Sequence, residues 1–131
     1  MGGAAFAGLG LAVATANVAA AIADYTAAAR LNPNDADAPS LLAWFLATTP
    51  DEKLRNGPKA VAYAQKACEL SEWKNSWHLN RLAVAHAASG NFEEAVKWEQ
   101  KALELPGSEN EQTPRRARLD LFKQKQSDVT R

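Results

Sequence analysis

Two histidines are the side chains of this chain best suited to metal binding or acid–base catalysis. His78 and His86 are its only imidazoles, and they lie eight residues apart on one predicted helix. Two helical ligands hold one metal ion when they are four residues apart, so this pair is spaced too widely. His86 also falls on an apolar stripe, which favours a half-buried structural histidine. The histidines therefore predict neither a metal site nor a catalytic one.

The remaining reactive groups also lack the neighbours that chemistry needs. Cys68 is the only cysteine, which excludes an internal disulfide and a multi-cysteine metal site. It falls in a predicted helix with no histidine beside it, so we expect a buried, inert thiol. Gly8 and Gly10 follow no strand and predict no phosphate-binding loop, and the glutamates are expected on helix surfaces. We therefore predict that the chain is not an enzyme, has no catalytic residues, and binds no cofactor or metal.

Charge and composition narrow the classes of partner. The 131 residues, enough for a single domain over residues 1–131, carry 15 Lys plus Arg and 15 Asp plus Glu. A net charge of zero is atypical of general nucleic-acid binders, which need a basic excess to bind phosphates. With 47% apolar residues, the chain has the composition of a folded globular protein. We expect a protein or peptide partner and no nucleic acid.

The N-terminal segment is unusual because residues 4–23 carry no charge. Its length raises the question of a membrane span. However, alanine occupies 13 of the first 31 positions and gains little from transfer into lipid. No Lys or Arg precedes the segment, so the basic start of a signal peptide is missing. We expect a packed, alanine-rich helix pair, no membrane span and a cytoplasmic protein, with export through an atypical signal as the alternative.

A repeated pattern becomes visible when the chain is aligned with itself. Three apolar columns recur with offsets of 39 and then 35 residues. Spacings of seven and three residues within each set place its members on one face of a helix. The sets are Ala21, Ala28, Leu31, then Ala60, Ala67, Leu70, and finally Ala95, Ala102, Leu105. An apolar periodic segment precedes each set, so each unit is predicted to be helix, turn, helix.

The third unit shows the turn between its helices most clearly. Gly90 suits a left-handed helix end, and Asn91 with Glu94 forms a capping box for the helix that follows. This pattern, over roughly residues 18–107, resembles the tetratricopeptide repeat, in a variant common in bacterial repeat proteins. The resemblance implies an all-α fold, a right-handed superhelical stack of about three helix-turn-helix repeats closed by a C-terminal capping helix. The implied units are residues 4–34, 35–72 and 73–107, and the capping helix covers about residues 113–125.

The first two units depart from the family pattern. The second carries about five extra residues between its helices, where Thr49 and Pro50 predict a capped single turn. The first has no Gly-Asp turn, so Ala16-Asn17 must separate its two helices. A single continuous helix from Ala4 to Leu31 is the alternative. The incomplete first unit also fits a piece cut from a larger protein.

The resemblance further implies a binding groove, because the first helix of each repeat lines the concave side of the stack. The matching positions are Leu11, Ser40, Trp44, Trp77, Asn80, Arg81 and Val84. Trp44 and Trp77 offer the aromatic surface found at interface centres, with packing between helices as the alternative for both. Of the residues with which some such repeats bind chaperone C termini, only Arg81 is matched. We therefore expect an apolar or amphipathic helical ligand instead.

Two functional classes follow from this reasoning. The first is a non-catalytic protein-interaction scaffold that binds a peptide or helix in the groove. The alternative is a self-associating module, a homo-oligomer joined through its apolar N-terminal helices. A terminal repeat normally needs a polar outer face, and residues 4–23 offer no charge for one.

Two groups of residues outside the groove also carry predictions. The basic run with Arg115, Arg116 and Arg118 is expected to form a solvated helix face or to pair with the acidic helix before it. Trp73 is expected to staple the turn before the next helix, and Trp98 to pack between adjacent helices.

Overall fold

The computed structural model describes residues 3–105 and 112–130, with side chains for residues 17–105 and 112–129. Within these ranges the chain forms helices and no strand. The helices are α1 (Gly3–Leu31), α2 (Asp37–Thr48), α3 (Gly57–Leu70), α4 (Ser76–Ala88), α5 (Phe92–Glu104) and α6 (Gln112–Thr130). The predicted all-α class is confirmed.

Each helix packs against the next one along the chain, and α2 packs against α4 as well. Short connections between packed helices make neighbours antiparallel. The pair α2 and α3 lies within the predicted second unit, and α4 and α5 lie within the third. The contact between α2 and α4 brings the first helices of these two units side by side.

Small side chains in the repeated columns let the helices approach closely. Four alanines of these columns have no exposed surface: Ala60, Ala67, Ala95 and Ala102. Around them lies a core that includes Leu42, Leu79 and Leu82. Cys68 is also fully buried, as predicted, and burial raises the pKa of its thiol to about 12. The thiolate needed for reactivity is therefore strongly disfavoured.

Asparagine side chains begin three of the helices. The Asn56 oxygen accepts a hydrogen bond from the Lys59 backbone amide at 3.0 Å at the start of α3. Asn75 does the same for two amides of α4. Asn91 accepts from the Glu94 amide at 3.4 Å, which confirms one of the two hydrogen bonds of the capping box predicted for α5, whereas the Asn91 amide donates to the His86 carbonyl instead of the Glu94 side chain. These bonds satisfy amide groups that would otherwise lack partners in the first helical turn.

The turn between α2 and α3 begins two residues later than predicted. Thr49 Oγ1 accepts from the Asp51 amide at 3.3 Å, and the Asp51 carboxylate accepts from the Lys53 amide at 2.9 Å, so both side chains cap amides of this segment. The Asp51 carbonyl accepts from the amides of Leu54 and Arg55 at 3.0 and 2.9 Å. Aspartate favours this geometry because its short side chain reaches the amide two residues further on.

The first unit contains one helix instead of two. The expected turn at Ala16-Asn17 is wrong, and the alternative of a continuous helix is confirmed by α1. Gly90, which precedes Asn91 as Ala16 precedes Asn17, has a φ of 80°. The Cβ atom of alanine makes that conformation costly, whereas alanine is the residue that most favours helix.

The C-terminal helix is longer than expected, since α6 runs past both ends of the predicted 113–125. Its buried face includes Leu119 and Phe122. Phe122 packs in a cluster with Ala83 of α4 and Ala95 of α5. The helix therefore covers one side of the pair formed by α4 and α5.

Candidate functional site

Three of the predicted groove residues meet in one side-chain cluster. Arg81 on α4 places its guanidinium carbon 4.3 Å from the ring centroid of Trp44 on α2. The same carbon lies 4.5 Å from the ring centroid of Trp77. At these distances the cation is attracted to both aromatic rings. The three side chains are each partly exposed. We name Trp44, Trp77 and Arg81 the arginine–tryptophan cluster.

Two buried residues fix the arginine of this cluster from inside the protein. Arg81 Nη1 donates to Asn80 Oδ1 at 2.7 Å. Asn80 Nδ2 donates in turn to the two carboxylate oxygens of Glu99, at 3.0 and 2.7 Å. Glu99 has no exposed surface and Asn80 only 1%. A continuous hydrogen-bond network therefore connects the surface guanidinium to a carboxyl group in the core.

The ionisation of Glu99 is governed by opposing effects. Burial raises the pKa of its carboxyl group above the ordinary value. The hydrogen bond from Asn80 and the positive charges of Arg118, Arg115 and Arg81 oppose that rise. Burial is the largest of these effects, so the folded protein disfavours the ionised form.

Glu99 is the residue of this site that the sequence interpretation missed, because glutamates were expected on helix surfaces. Its position along α5 carried a usable signal. Glu99 lies four residues after Ala95 and three before Ala102, which places it on the same helix face as both. Those alanines were expected in the core. The position of Glu99 on the helix therefore predicted burial, whereas its residue type predicted exposure.

The arginines of the basic run on α6 have both of the predicted roles: some interact with the preceding helix, and one lies on a solvated face. Arg115 is 2% exposed, and with Arg118 it acts electrostatically on Glu99 of the preceding helix. Arg118 also lies 6.0 Å from the Trp44 ring, so α6 contributes to the surface around the arginine–tryptophan cluster. Arg116 is exposed and donates to Gln112 on its own helix, as expected of a solvated face.

A second buried polar contact joins α2 to α4 next to this cluster. His78 Nδ1 lies 2.8 Å from Ser40 Oγ, and its Nε2 lies 3.7 Å from an oxygen of Asp37. Burial lowers the pKa of His78, and Arg81 adds to this effect, whereas Asp37 and Asp35 oppose it. The neutral imidazole is therefore the favoured form inside the fold. His86 is partly buried, in agreement with the structural role expected for it.

Two of the other predicted groove residues, Ser40 and Asn80, do not reach an accessible surface. Ser40 and Asn80 are buried because their polar groups are used in hydrogen bonds inside the protein, so assigning them to ligand contact is corrected to a positioning role. Val84 is partly exposed, and it packs against the core that includes Leu79 and Leu82 and against the cluster with Phe122. The side chain of Leu11 lies outside the described residues.

A second tryptophan pair occupies a different surface. Trp73, after α3, stacks on Trp98 of α5 with centroids 5.1 Å apart. Lys97 and Lys101 place their ammonium groups 4.9 and 5.3 Å from the Trp98 ring. We name these four residues the lysine–tryptophan cluster. A cavity of about 490 Å³ opens beside it, lined by Trp73, Leu79, Trp98, Lys101, Glu104 and Leu105.

The backbone before α4 explains how Trp73 reaches Trp98. Glu72 and Trp73 have φ values of 58° and 60°, a left-handed conformation that is uncommon for residues other than glycine. The Trp73 amide donates to the carbonyl of Cys68 at 2.8 Å and so closes the end of α3. Trp73 therefore belongs to the termination of α3 and stacks on α5, and its role as a staple for the turn before α4 stays a prediction.

Comparison with known proteins identifies no matching protein-family model and no curated protein with significant similarity to this chain. Over the described part of the chain, none of the helices combines the length and the apolar character needed to cross a membrane.

Proposed function

We propose that this chain is a non-catalytic protein-interaction module of the tetratricopeptide-repeat type, which binds a peptide or helical segment of a partner protein. The binding surface would be the concave side of a right-handed superhelical stack, built from α2, α4 and α6. Packing of α2 against α4, the first helices of consecutive units, supports this arrangement.

The observation that carries the proposal is the position of Arg81 against Trp44 and Trp77. Both indoles keep part of their surface exposed. Tryptophan and arginine are enriched among the residues that dominate binding energies at interfaces. The hydrogen bond from Arg81 to Asn80 restrains the arginine before any ligand arrives, which lowers the entropy lost on binding.

The chemistry of this surface favours an amphipathic ligand. The exposed parts of the indoles suit an apolar side chain, and the guanidinium groups of Arg81 and Arg118 suit a carboxylate beside it. A helical segment with an apolar face bordered by an acidic residue has both features. A protein or peptide partner and a cytoplasmic location are expectations from the sequence.

The experiment that tests this proposal selects binders from a random peptide library on the immobilised chain and measures their affinities in solution. We expect Trp77→Ala to weaken binding by about thirtyfold, the loss of about 2 kcal/mol typical of an energetic centre. Trp73→Ala is the matched control, because it removes an indole from the other cluster. Peptides that bind a Trp44→Ala, Trp77→Ala double variant as tightly as the wild type would show that this surface is not the binding site.

A further inference from the structure

The repeated columns are buried to different extents in the first unit and in the later ones. In α3 and α5 the alanines of these columns have no exposed surface. The residues at the matching positions of α1, Ala21 and Ala28, both remain partly exposed. Since the residue type is the same in every unit, the difference reflects what packs against the helix.

At two further columns, the residue of the first unit is also less buried than the matching residues of the later units. Tyr25 is partly exposed, whereas the matching Ala64 and Glu99 are fully buried. Leu31 is 85% exposed, whereas the matching leucines Leu70 and Leu105 are partly buried. In the later units, each second helix packs between two others: α3 between α2 and α4, and α5 between α4 and α6. The second half of α1 has α2 on one side and lacks the helix that would precede it.

The segment that would supply this helix forms the first half of α1 itself. The apolar residues Phe6 to Val13 stand where the first helix of a unit is expected, yet α1 runs unbroken from Gly3 to Leu31. Its 29 residues extend about 44 Å, and the 12 residues of α2 about 18 Å. Because α2 is less than half as long as α1, it can lie beside only part of α1, and much of α1 extends beyond it.

The junction retains half of the turn signal found in the third unit, where Gly90 and Asn91 separate the two helices. Asn17 aligns with Asn56 and Asn91, which cap α3 and α5. Ala16 aligns with Gly90, whose φ of 80° ends the preceding helix. The sequence therefore keeps the residue that starts a second helix and lacks the residue that ends the first one.

We propose that two copies of this chain form a two-fold dimer by exchanging the N-terminal half of α1. Residues 3–16 of one chain would lie antiparallel against residues 17–31 of the other, and the two-fold axis would pass near Ala16 and Asn17. Opening a helical hairpin into one long helix keeps its contacts but makes them between chains, which is the geometry of domain swapping. The exchanged helix covers the face that contains Ala21, Ala28 and Leu31.

A second copy fits this face better than an unrelated partner for two reasons. The covering helix is already encoded in the chain at the correct distance along the sequence. The segment of residues 4–23 also carries no charge, so two copies can meet without repulsion between like charges. This dimer uses a different surface from the arginine–tryptophan cluster and does not depend on the proposed function.

The test is sedimentation velocity on the full chain over a dilution series. We expect a dimer that dissociates to monomer on dilution. Ala16→Gly should raise the dissociation constant by about tenfold, because glycine weakens the continuous helix in both chains and permits the turn within one chain. Ala62→Gly on α3 is the matched control, an exposed helical alanine away from the junction, and should leave the dissociation constant unchanged.

A stronger variant combines Ala16→Gly with Ala20→Glu, which copies both Gly90 and Glu94 of the third unit. We expect it to be monomeric and to keep the helical circular dichroism signal of a folded protein. A wild-type chain that stays monomeric at every concentration would overturn the proposal. A dimer whose dissociation constant is the same in the double variant would also overturn it, because the interface would then lie elsewhere.

Discussion

The arginine–tryptophan and lysine–tryptophan clusters combine the same kinds of side chain but are held in different ways. Arg81 donates to Asn80, which is bonded to the fully buried Glu99. Trp98 instead donates from its indole nitrogen to Glu94, on the same helix and one turn away. The first cluster therefore ties α4 to α5 through the core, whereas the second rests mainly on neighbouring surface positions of α5.

This difference determines what each cluster contributes. Water can replace the partners of Lys97 and Lys101, because both side chains are exposed. Water cannot readily replace the partners of Glu99, since the carboxyl group has no exposed surface. We therefore expect equivalent substitutions to affect stability strongly in the arginine–tryptophan cluster and weakly in the lysine–tryptophan cluster.

The largest effect is expected from Glu99→Ala. Removing the carboxyl group takes away the acceptor of the buried Asn80 amide and leaves a cavity in the core. A buried donor without an acceptor costs about 1–3 kcal/mol, and the cavity adds to this cost, for a total of about 3–5 kcal/mol. We expect a loss of this size in the free energy of unfolding, measured by urea denaturation.

Glu104→Ala, at the exposed end of the same helix, is the matched control and should change stability by less than about 0.5 kcal/mol. The comparison between the clusters fails if Glu99→Ala costs no more than an exposed ion pair contributes, about 1 kcal/mol. The Asn80–Glu99 hydrogen bonds would then not connect the arginine–tryptophan cluster to the stability of the core.

A smaller effect is expected when each cluster loses a cation. Arg81→Met keeps much of the aliphatic stem but removes the hydrogen bond to Asn80 and the charge near Trp44 and Trp77, so we expect a loss of about 1–2 kcal/mol. Lys97→Met removes a charge whose ammonium lies 4.0 Å from Glu94 and should cost at most about 0.5 kcal/mol. Thermal and urea unfolding of the two variants measure the difference in their stability. Equal losses of stability would contradict the expectation that the two clusters contribute unequally.

Much of the fold followed from the sequence because helical periodicity and small side chains act locally. The columns of Ala60 and Ala67 predicted which faces pack, and Asn91 predicted where α5 begins. The same reasoning could not decide whether the first unit contains one helix or two. There, Asn17 favours a new helix while Ala16 favours continuation, and the outcome depends on this balance rather than on either residue alone.

The candidate site was less predictable than the fold, because its geometry depends on contacts between distant residues. The sequence placed Trp44, Trp77 and Arg81 on one surface through the family resemblance. It did not indicate that Arg81 lies against both rings, since that requires the positions of α2 and α4 relative to each other. Ser40 and Asn80 were assigned to the surface because polar type usually indicates exposure, whereas their hydrogen-bond partners allow them to be buried.

The pH dependence of stability gives the finest test of how Glu99 is held. Glu99→Gln keeps the shape of the side chain and an acceptor for Asn80 but cannot ionise. Burial raises the pKa of Glu99 above its ordinary value of 4.5, so the folded state holds the proton more tightly than the unfolded state does. The stabilisation from the protonated carboxyl group is therefore complete below pH 4.5 and is lost as the pH rises through the folded pKa.

The free energy of unfolding of the wild type, minus that of Glu99→Gln, should therefore decrease as the pH rises from about 4 to 8. The titrations of His78 and His86 occur in both proteins and cancel from this difference. Urea denaturation at a series of pH values measures it. A difference that increases with pH would mean that the hydrogen bond from Asn80 and the charges of Arg118, Arg115 and Arg81 outweigh burial and lower the pKa of the carboxyl group. The fold would then favour the charged form of Glu99, and the arginine–tryptophan cluster would rest on a buried ion pair.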